Sequence, residues 1–276
     1  MLSASHKSPL GHIAAQLIVR AKNMSLLQLT QRGKKALGVE TFIYRIMSVK
    51  HLLDLFKFGE NVLVSPKKWA DPFENFVLKS AVQLDNGRTG AFPFRDGVFG
   101  QCWSLKQQSD ALWRLYSKNK KCVQVRTTVK SLLAGIARQD IEFRECSFIG
   151  RVEYFSKNDV IRKSNELFAY PNNPNTETYA RTLLFKRFAF SHEREVRLIH
   201  LNGYATPDED FHKYQVDPLT LCNRILLDPR LRDDEAQSMR TRLETRLGRY
   251  GFTGKIKRSD LYALPPRSSI QFTCPN

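Results

Sequence analysis

Hydrophobic positions along the chain fall into short alternating runs, with stretches of helical periodicity between them. Thr41 to Met47 is rich in β-formers and reads as the first core strand. Ser48 then caps a helix over Val49 to Phe58 that Gly59 stops. Asn61 to Ser65 reads as a second strand. Pro66, Trp69 and the block Asp71-Pro-Phe-Glu74 make a turn, because proline fixes its own φ and restricts the residue before it. Val98 to Ser104, Cys122 to Arg126, Phe148 to Phe155, Glu193 to Leu201, Tyr214 to Val216, Arg224 to Asp228 and Lys255 to Ser259 continue the series of strands. Helices are expected after Ser109-Asp110, over residues 128–138, from Glu177 to Phe188, and from Asp233 to Leu247 with Gly248 closing the last. Asp85-Asn-Gly87 carries hairpin-turn chemistry, and Tyr170 to Thr176 is a loop rich in Asn and Pro.

Many short strands with few helices between them give an α+β class. The absence of strict strand-helix alternation and of internal repeats argues against a doubly wound parallel sheet. Residues 10–37 show two apolar stripes, one of Ile13, Leu17 and Ile18 and one of Leu26, Leu27 and Leu29. The expected organisation is a basic helical extension over residues 1–39, a single α+β catalytic domain over 40–262 and a tail over 263–276. The first 39 residues contain no acid, so an organellar transit peptide is the lesser alternative reading, and Met24 is an alternative start.

Charge changes the picture of partners. Forty-four Lys and Arg against 27 Asp and Glu give a formal net charge of +17, which favours polyanions such as nucleic acid or an acidic protein. Five scattered cysteines form no Cys-x-x-Cys pair, and six histidines show no His-x-x-x-His spacing. A disulfide framework and a zinc site are therefore not expected, and a reducing cytoplasm fits. No run of about 18 apolar residues is available to span a bilayer. Phosphate-loop and serine-elbow motifs are absent; Gly251-Phe-Thr-Gly-Lys255 is an echo of the former that reads as a turn.

The stretch from Leu183 to Leu201 combines apolar alternation with dense charge. If Glu193 to Leu201 is one strand, Glu193 and Glu195 project from the same face, and Arg187, Arg194 or Arg197, or a ligand, must offset their repulsion. The plain alternative is a charged, solvent-facing edge strand. Arg45 interrupts an otherwise apolar strand and needs an anion for its planar fork. Ser65 and Asp71 read first as turn formers, and Trp113 and Tyr116 as core.

Tyr44-Arg45, Ser65-Pro66 with Trp69-x-Asp-Pro-Phe-Glu74, Cys102-Trp-Ser104, Trp113-x-x-Tyr116 and Glu193-x-Glu-Val-Arg197 resemble a large bacterial family known only as a domain of unknown function, from about Phe42 to Leu261. More weakly, the order Arg45, Ser104, Glu195 is similar to that of the ADP-ribosyltransferases, with Ser65 a competing second member. That resemblance implies a split mixed or antiparallel sheet with flanking helices, and NAD as the co-substrate. It implies catalytic Glu195 and Glu193, with Arg45, Tyr44, Ser104, Trp103, Ser65, Asp71 and Tyr116 binding NAD and no metal. Arg45 and Glu195 are then expected to face one cleft.

The implied activity is ADP-ribosylation of nucleic acid, RNA ahead of DNA, by a toxin or anti-phage effector, with an antitoxin or chaperone as a possible partner. Two alternatives stay open from the residues themselves. One is a nuclease whose Asp71, Glu74, Glu193 and Glu195 hold Mg²⁺. The other is a non-catalytic module that binds nucleic acid or protein through Lys118, Lys120, Lys121 and the basic amino-terminal helix.

Overall fold

The computed structural model describes residues 28–29, 37–83, 87–92, 94–169 and 175–264. Most of the expected amino-terminal helix, the hairpin tip at 84–86, the loop 170–174 and the tail from 265 lie outside the described residues.

A ten-stranded mixed sheet carries the fold. Its strands are β1 (Gln28–Leu29), β2 (Phe42–Ser48), β3 (Glu60–Val64), β4 (Val98–Ser104), β5 (Cys122–Thr128), β6 (Ser147–Arg151), β7 (Glu195–Leu201), β8 (Phe211–Gln215), β9 (Arg224–Leu227) and β10 (Lys255–Arg258). The order across the sheet is β1-β6-β7-β4-β2-β5-β9-β10, and β3 bridges β4 and β8. The pairs β1–β6 and β9–β10 are parallel, and the other pairs in this sheet are antiparallel. The helices of seven or more residues among those described are α1 (Val49–Phe58), α2 (Asp110–Tyr116), α3 (Val129–Ala137), α4 (Lys157–Phe168), α5 (Thr176–Thr182) and α6 (Asp233–Gly248). The α+β class with a mixed sheet and flanking helices is the one expected.

Local chemistry explains the first unit. Ser48 Oγ accepts from His51 N at 3.1 Å and starts α1, and Gly59 ends it at φ +65°, a conformation glycine adopts without a Cβ clash. The chain then returns as β3, and here the sheet splits. Both β2 and β3 lie against the same side of β4, Tyr44 pairing with Ser104 at one end and Val64 with Gly100 at the other. Behind the split, Gln101 Nε2 donates to Asn61 Oδ1 at 2.6 Å, Trp103 Nε1 donates to Gln101 Oε1 at 2.8 Å, and Asn61 Nδ2 donates to Tyr214 Oη at 2.7 Å. These bonds satisfy polar groups in the interior that would otherwise pay a desolvation penalty.

The main core lies on one face, where Ile43, Val125, Val196, Leu198, Ile225 and Ile256 pack with Leu52, Leu132, Ile136 and Leu243 of the helices. Each such side chain contributes about 1.5–3 kcal/mol on burial. A second cluster, with Phe148, Ile199 and Leu201 under Tyr179, Leu183 and Leu184, occupies the other face.

Several expectations are corrected. Gln28–Leu29 adds a short strand beside Ile149 and Gly150 instead of continuing a helix. Phe148 to Phe155 is two strands, broken at Val152, and its second part, Glu153–Phe155, pairs with Phe185–Arg187 in a separate ribbon. The helix from Glu177 stops at Thr182, which frees the chain for that ribbon. α4 was not foreseen, and α6 is capped by Arg232, not Asp233. By contrast, the segment Tyr250 to Gly254 is the turn expected. Finally, β7 is a central strand between β4 and β6, all seven residues buried, so the charged-edge reading fails.

Candidate active site

Cross-strand register sets the floor of the site. Tyr44, Ser104 and Glu195 stand directly opposite one another on β2, β4 and β7, so their side chains share one face. A pocket of about 450 Å³ opens over this row and into the split. That is within the size range of small-molecule clefts. Trp69, Glu74 and the segment from Lys186 to Glu193 form its walls, with Tyr116 of α2 at one side.

Glu74, Lys186, Glu193 and Glu195 are buried at its inner wall, and Arg197 is buried behind them. Lys186 Nζ lies 2.8 Å from Glu74, 2.7 Å from Glu193 and 3.4 Å from Glu195. Arg197 donates Nη2 to Glu74 at 2.7 Å and to Glu195 at 2.7 Å, Nε to Glu195 at 3.1 Å, and Nη1 to Leu183 O at 2.6 Å. Its guanidinium lies 4.5 Å from the centre of the Trp69 ring, and Lys186 Nζ is 4.8 Å from that of Phe190. The backbone at Gly100 makes room for this stacking, since a Cβ there would meet Trp69 Cζ2 at 2.8 Å.

The two glutamates titrate in opposite directions. Burial raises the Glu195 carboxyl, but Arg197 and Lys186 outweigh it and hold the group below its ordinary value. Burial, reinforced by the charge of Glu195, raises Glu193, with Lys186 opposing. Glu195 is thus the permanent anion and Glu193 the group better suited to carry a proton.

Glu193 does not share the strand with Glu195 as expected. It ends a 3₁₀ turn, Phe188–Glu193, and Arg194 follows with φ +47°. A non-glycine residue in that region is strained, and strain of this kind collects at functional sites. Ser104 Oγ donates to Glu193 O at 2.6 Å and accepts from Lys106 N at 2.9 Å, so the hydroxyl fixes this turn.

The other expected residues divide. Tyr44 is buried, its hydroxyl 3.3 Å from Gln107 Oε1. Arg45 borders the pocket, but by strand alternation it projects from the opposite face to Tyr44, on the side of Ile43, and reaches the cavity through the split. It makes no hydrogen bond or ion pair with the described residues, and burial lowers its pKa. Trp103 borders the pocket but is 3% exposed, packs in the main core and has its indole nitrogen held by Gln101. Asp71 borders the pocket but is committed: it caps Phe73 N at 3.0 Å and pairs with Arg187 at 2.9 Å. Ser65 is outside the pocket and caps the turn Pro66–Lys68. Trp113 is core, whereas Tyr116 is 51% exposed and borders the pocket, so the core reading fails for the second. Lys118, Lys120 and Lys121 are exposed on the loop after α2.

Sequence reasoning missed Lys186, Trp69, Phe190 and the role of Glu74 as a partner of Arg197, and it named Arg197 only as one of three candidate cations beside the glutamates. The blocks Trp69-x-Asp-Pro-Phe-Glu74 and Glu195-Val-Arg197 contained the signal for three of them, because i and i+2 on a strand share a face. Lys186 had been assigned to a helix.

Residues 112–198 match the family described as "Protein of unknown function (DUF2971)". No curated protein matches the sequence significantly. Among solved structures, the chain is similar to Thermus sp. 2.9 DarT in complex with NAD+, at 11% identity and a TM-score of 0.37, over 82% of this chain and 99% of that one. For the same protein with carba-NAD+ the values are 12%, 0.37, 82% and 99%. For its complex with ADP-ribosylated ssDNA they are 11%, 0.38, 83% and 99%. Among the described residues no helix is long and apolar enough to cross a membrane.

Proposed function

We propose that the protein is an NAD-dependent ADP-ribosyltransferase whose acceptor is a nucleic acid. The observation that carries the reading is the buried Glu195 carboxylate, kept ionised by Arg197 on the wall of a pocket that is also bordered by Arg45, whose guanidinium has no partner among the described residues.

The residues fit a dinucleotide. Arg45 would take an anionic oxygen such as that of the pyrophosphate, the recognition its fork geometry favours. Phe190, Tyr116 and Trp69 supply aromatic surface for a base or a pyridinium ring. When bound, NAD supplies a ribosyl carbon joined to a good leaving group, nicotinamide. Cleavage of that bond develops positive charge on the ribose, which the fixed anion of Glu195 stabilises more in the transition state than before it. Glu193, with its raised pKa, would take the proton of the acceptor nucleophile as the new bond to the ribose forms.

The nuclease alternative loses support at the same place. Lys186 Nζ stands between Glu74, Glu193 and Glu195, where a cation bound by these carboxylates would sit. The net charge of +17 supports a polyanionic acceptor, and charge is shared by RNA and DNA, so the reading covers both. A toxin or anti-phage role would follow from modification of either.

The test is to incubate the protein and Glu195→Gln with adenine-labelled NAD and with RNA, DNA or protein, with and without EDTA. EDTA-resistant transfer of label to nucleic acid, lost in the variant, is expected. Strand cleavage abolished by EDTA, or nucleic acid left unlabelled by the wild type, would overturn the reading.

A further inference from the structure

The row that holds Glu195, Ser104 and Tyr44 does not end at β2. Register continues it through Arg126 on β5 and Arg224 on β9 to Lys255 on β10, so three cationic residues succeed one another on adjacent strands. Cross-strand partners share a face, so this basic row and the acidic floor of the pocket lie on the same side of the sheet. Like charges directly opposite each other destabilise a sheet.

Among the described residues little offsets them. Arg126 Nε donates to Asn223 Oδ1 at 2.8 Å, and its guanidinium lies 4.3 Å from the centre of the Phe42 ring, which is 43% exposed. Arg224 lies 5.9 Å from the centre of the Tyr44 ring, and its Nε and Nη2 are buried without a hydrogen-bond partner. Asp260 faces Arg224, but it is engaged by Lys257 at 3.1 Å and by Gln108. Lys255 is exposed.

We propose that this row is the acceptor track, on which the phosphodiester backbone of a single nucleic-acid strand crosses β10, β9 and β5 before one nucleotide reaches the pocket. The inference rests on the transferase reading and adds to it the surface and the direction of approach. At about 4.8 Å per strand, Arg224 stands about 19 Å from Glu195, the span of a few nucleotides. Cations that alternate with aromatic rings are the combination that holds single strands, the cations on phosphate and the rings on bases. Phe42 supplies an exposed ring beside Arg126, and the buried, unsatisfied Nε and Nη2 of Arg224 would gain an acceptor from an anion held along the row.

The experiment measures binding of fluorescent single-stranded DNA and RNA oligonucleotides by anisotropy from 50 to 300 mM salt. It uses the wild type, Lys255→Ala, Arg126→Ala/Arg224→Ala, the triple variant, and Arg126→Lys/Arg224→Lys as a charge-retaining control. Label transfer from NAD is measured in parallel. The triple variant is expected to bind about tenfold or more weakly, with the logarithmic salt slope reduced by about 2, at about 0.7 per lost phosphate contact. The lysine pair should keep most of the slope, and Lys255→Ala, an exposed substitution, reports the row even if the double alanine fails to fold. An unchanged slope in folded triple variant, or in Lys255→Ala should the other not fold, overturns the track even where NAD turnover proceeds. A row-dependent slope without any transfer from NAD keeps the track and removes the transferase reading instead.

Discussion

On the β7 side of the pocket each buried carboxylate has a cation within 3.4 Å, whereas on the β2 side Arg45 has no acid partner among the described residues. Both sides border the same pocket. A fully paired charge is held for its geometry, and its partners cannot leave without exposing a buried ion to an apolar wall. An unpaired charge on a cavity wall is complementary to what enters. On the proposed reading, the difference separates a residue that would set up the chemistry, Glu195, from those that would receive a ligand, Arg45 at the split and Arg224 along the row. β7 shows a third treatment on its reverse side, where His200 stacks on Phe143 at 4.1 Å and burial, followed by neighbouring His212, pushes its pKa down to about 3.

The largest break in this contrast should come from Arg197→Met. It strands Glu74 and Glu195 beside one remaining cation, and chemical denaturation should show a loss of about 3–5 kcal/mol. A loss under 1 kcal/mol would mean that Lys186 alone neutralises the wall. Glu195→Gln keeps the shape and removes the anion; transfer should fall about 10²–10³-fold, or about 2.7–4 kcal/mol in the barrier, while the circular dichroism spectrum stays as in the wild type.

The His200 side sharpens the comparison through pH. An imidazole whose folded pKa lies below its unfolded value of about 6.5 contributes stability that is complete above pH 6.5 and is lost as pH falls toward 3, by up to about 1.4 kcal/mol per pH unit. Urea midpoints for His200→Phe should therefore lack a decline between pH 6.5 and 5 that the wild type shows; parallel curves would remove His200 from the account. The smallest effect belongs to Arg45→Ala. Stability should change by no more than about 0.5 kcal/mol, since no pair is broken. Titration calorimetry should show NAD binding about tenfold weaker, and unaltered affinity would detach the β2 side from the ligand.

Sequence pattern carried much of the sheet because its strands alternate and its caps are local: Ser48, Ser109 and Gly59 all stand where the pattern put them. The site was legible as a set of residues more than as an arrangement. Glu193, Glu195, Tyr44, Arg45 and Tyr116 do meet at one pocket. The pattern carried no sign of the turn at Arg194 that lifts Glu193 off the strand, since a positive φ at arginine has no local signature. Lys186 was hidden for a related reason: helical propensity around residue 186 favours continuation from α5, and tertiary pairing with Tyr154 overrides it. Arg45 was correctly singled out as an ion without an obvious local partner, but strand alternation alone placed it on the wrong side of the sheet to meet Glu195, and only the divergence of β2 from β3 brings it to the cavity.

Gly100 gives the ionic wall a lever outside itself. Because hydrogen, and not methyl, occupies that position, the indole of Trp69 can rest on the backbone of β4 and keep its face against Arg197. Alanine at 100 adds no charge and removes none, yet it would tilt the tryptophan away, admit water to the guanidinium and loosen its grip on the carboxylate two residues upstream. The reactivity of an acid on β7 is thereby answerable to the smallest side chain on the strand beside it.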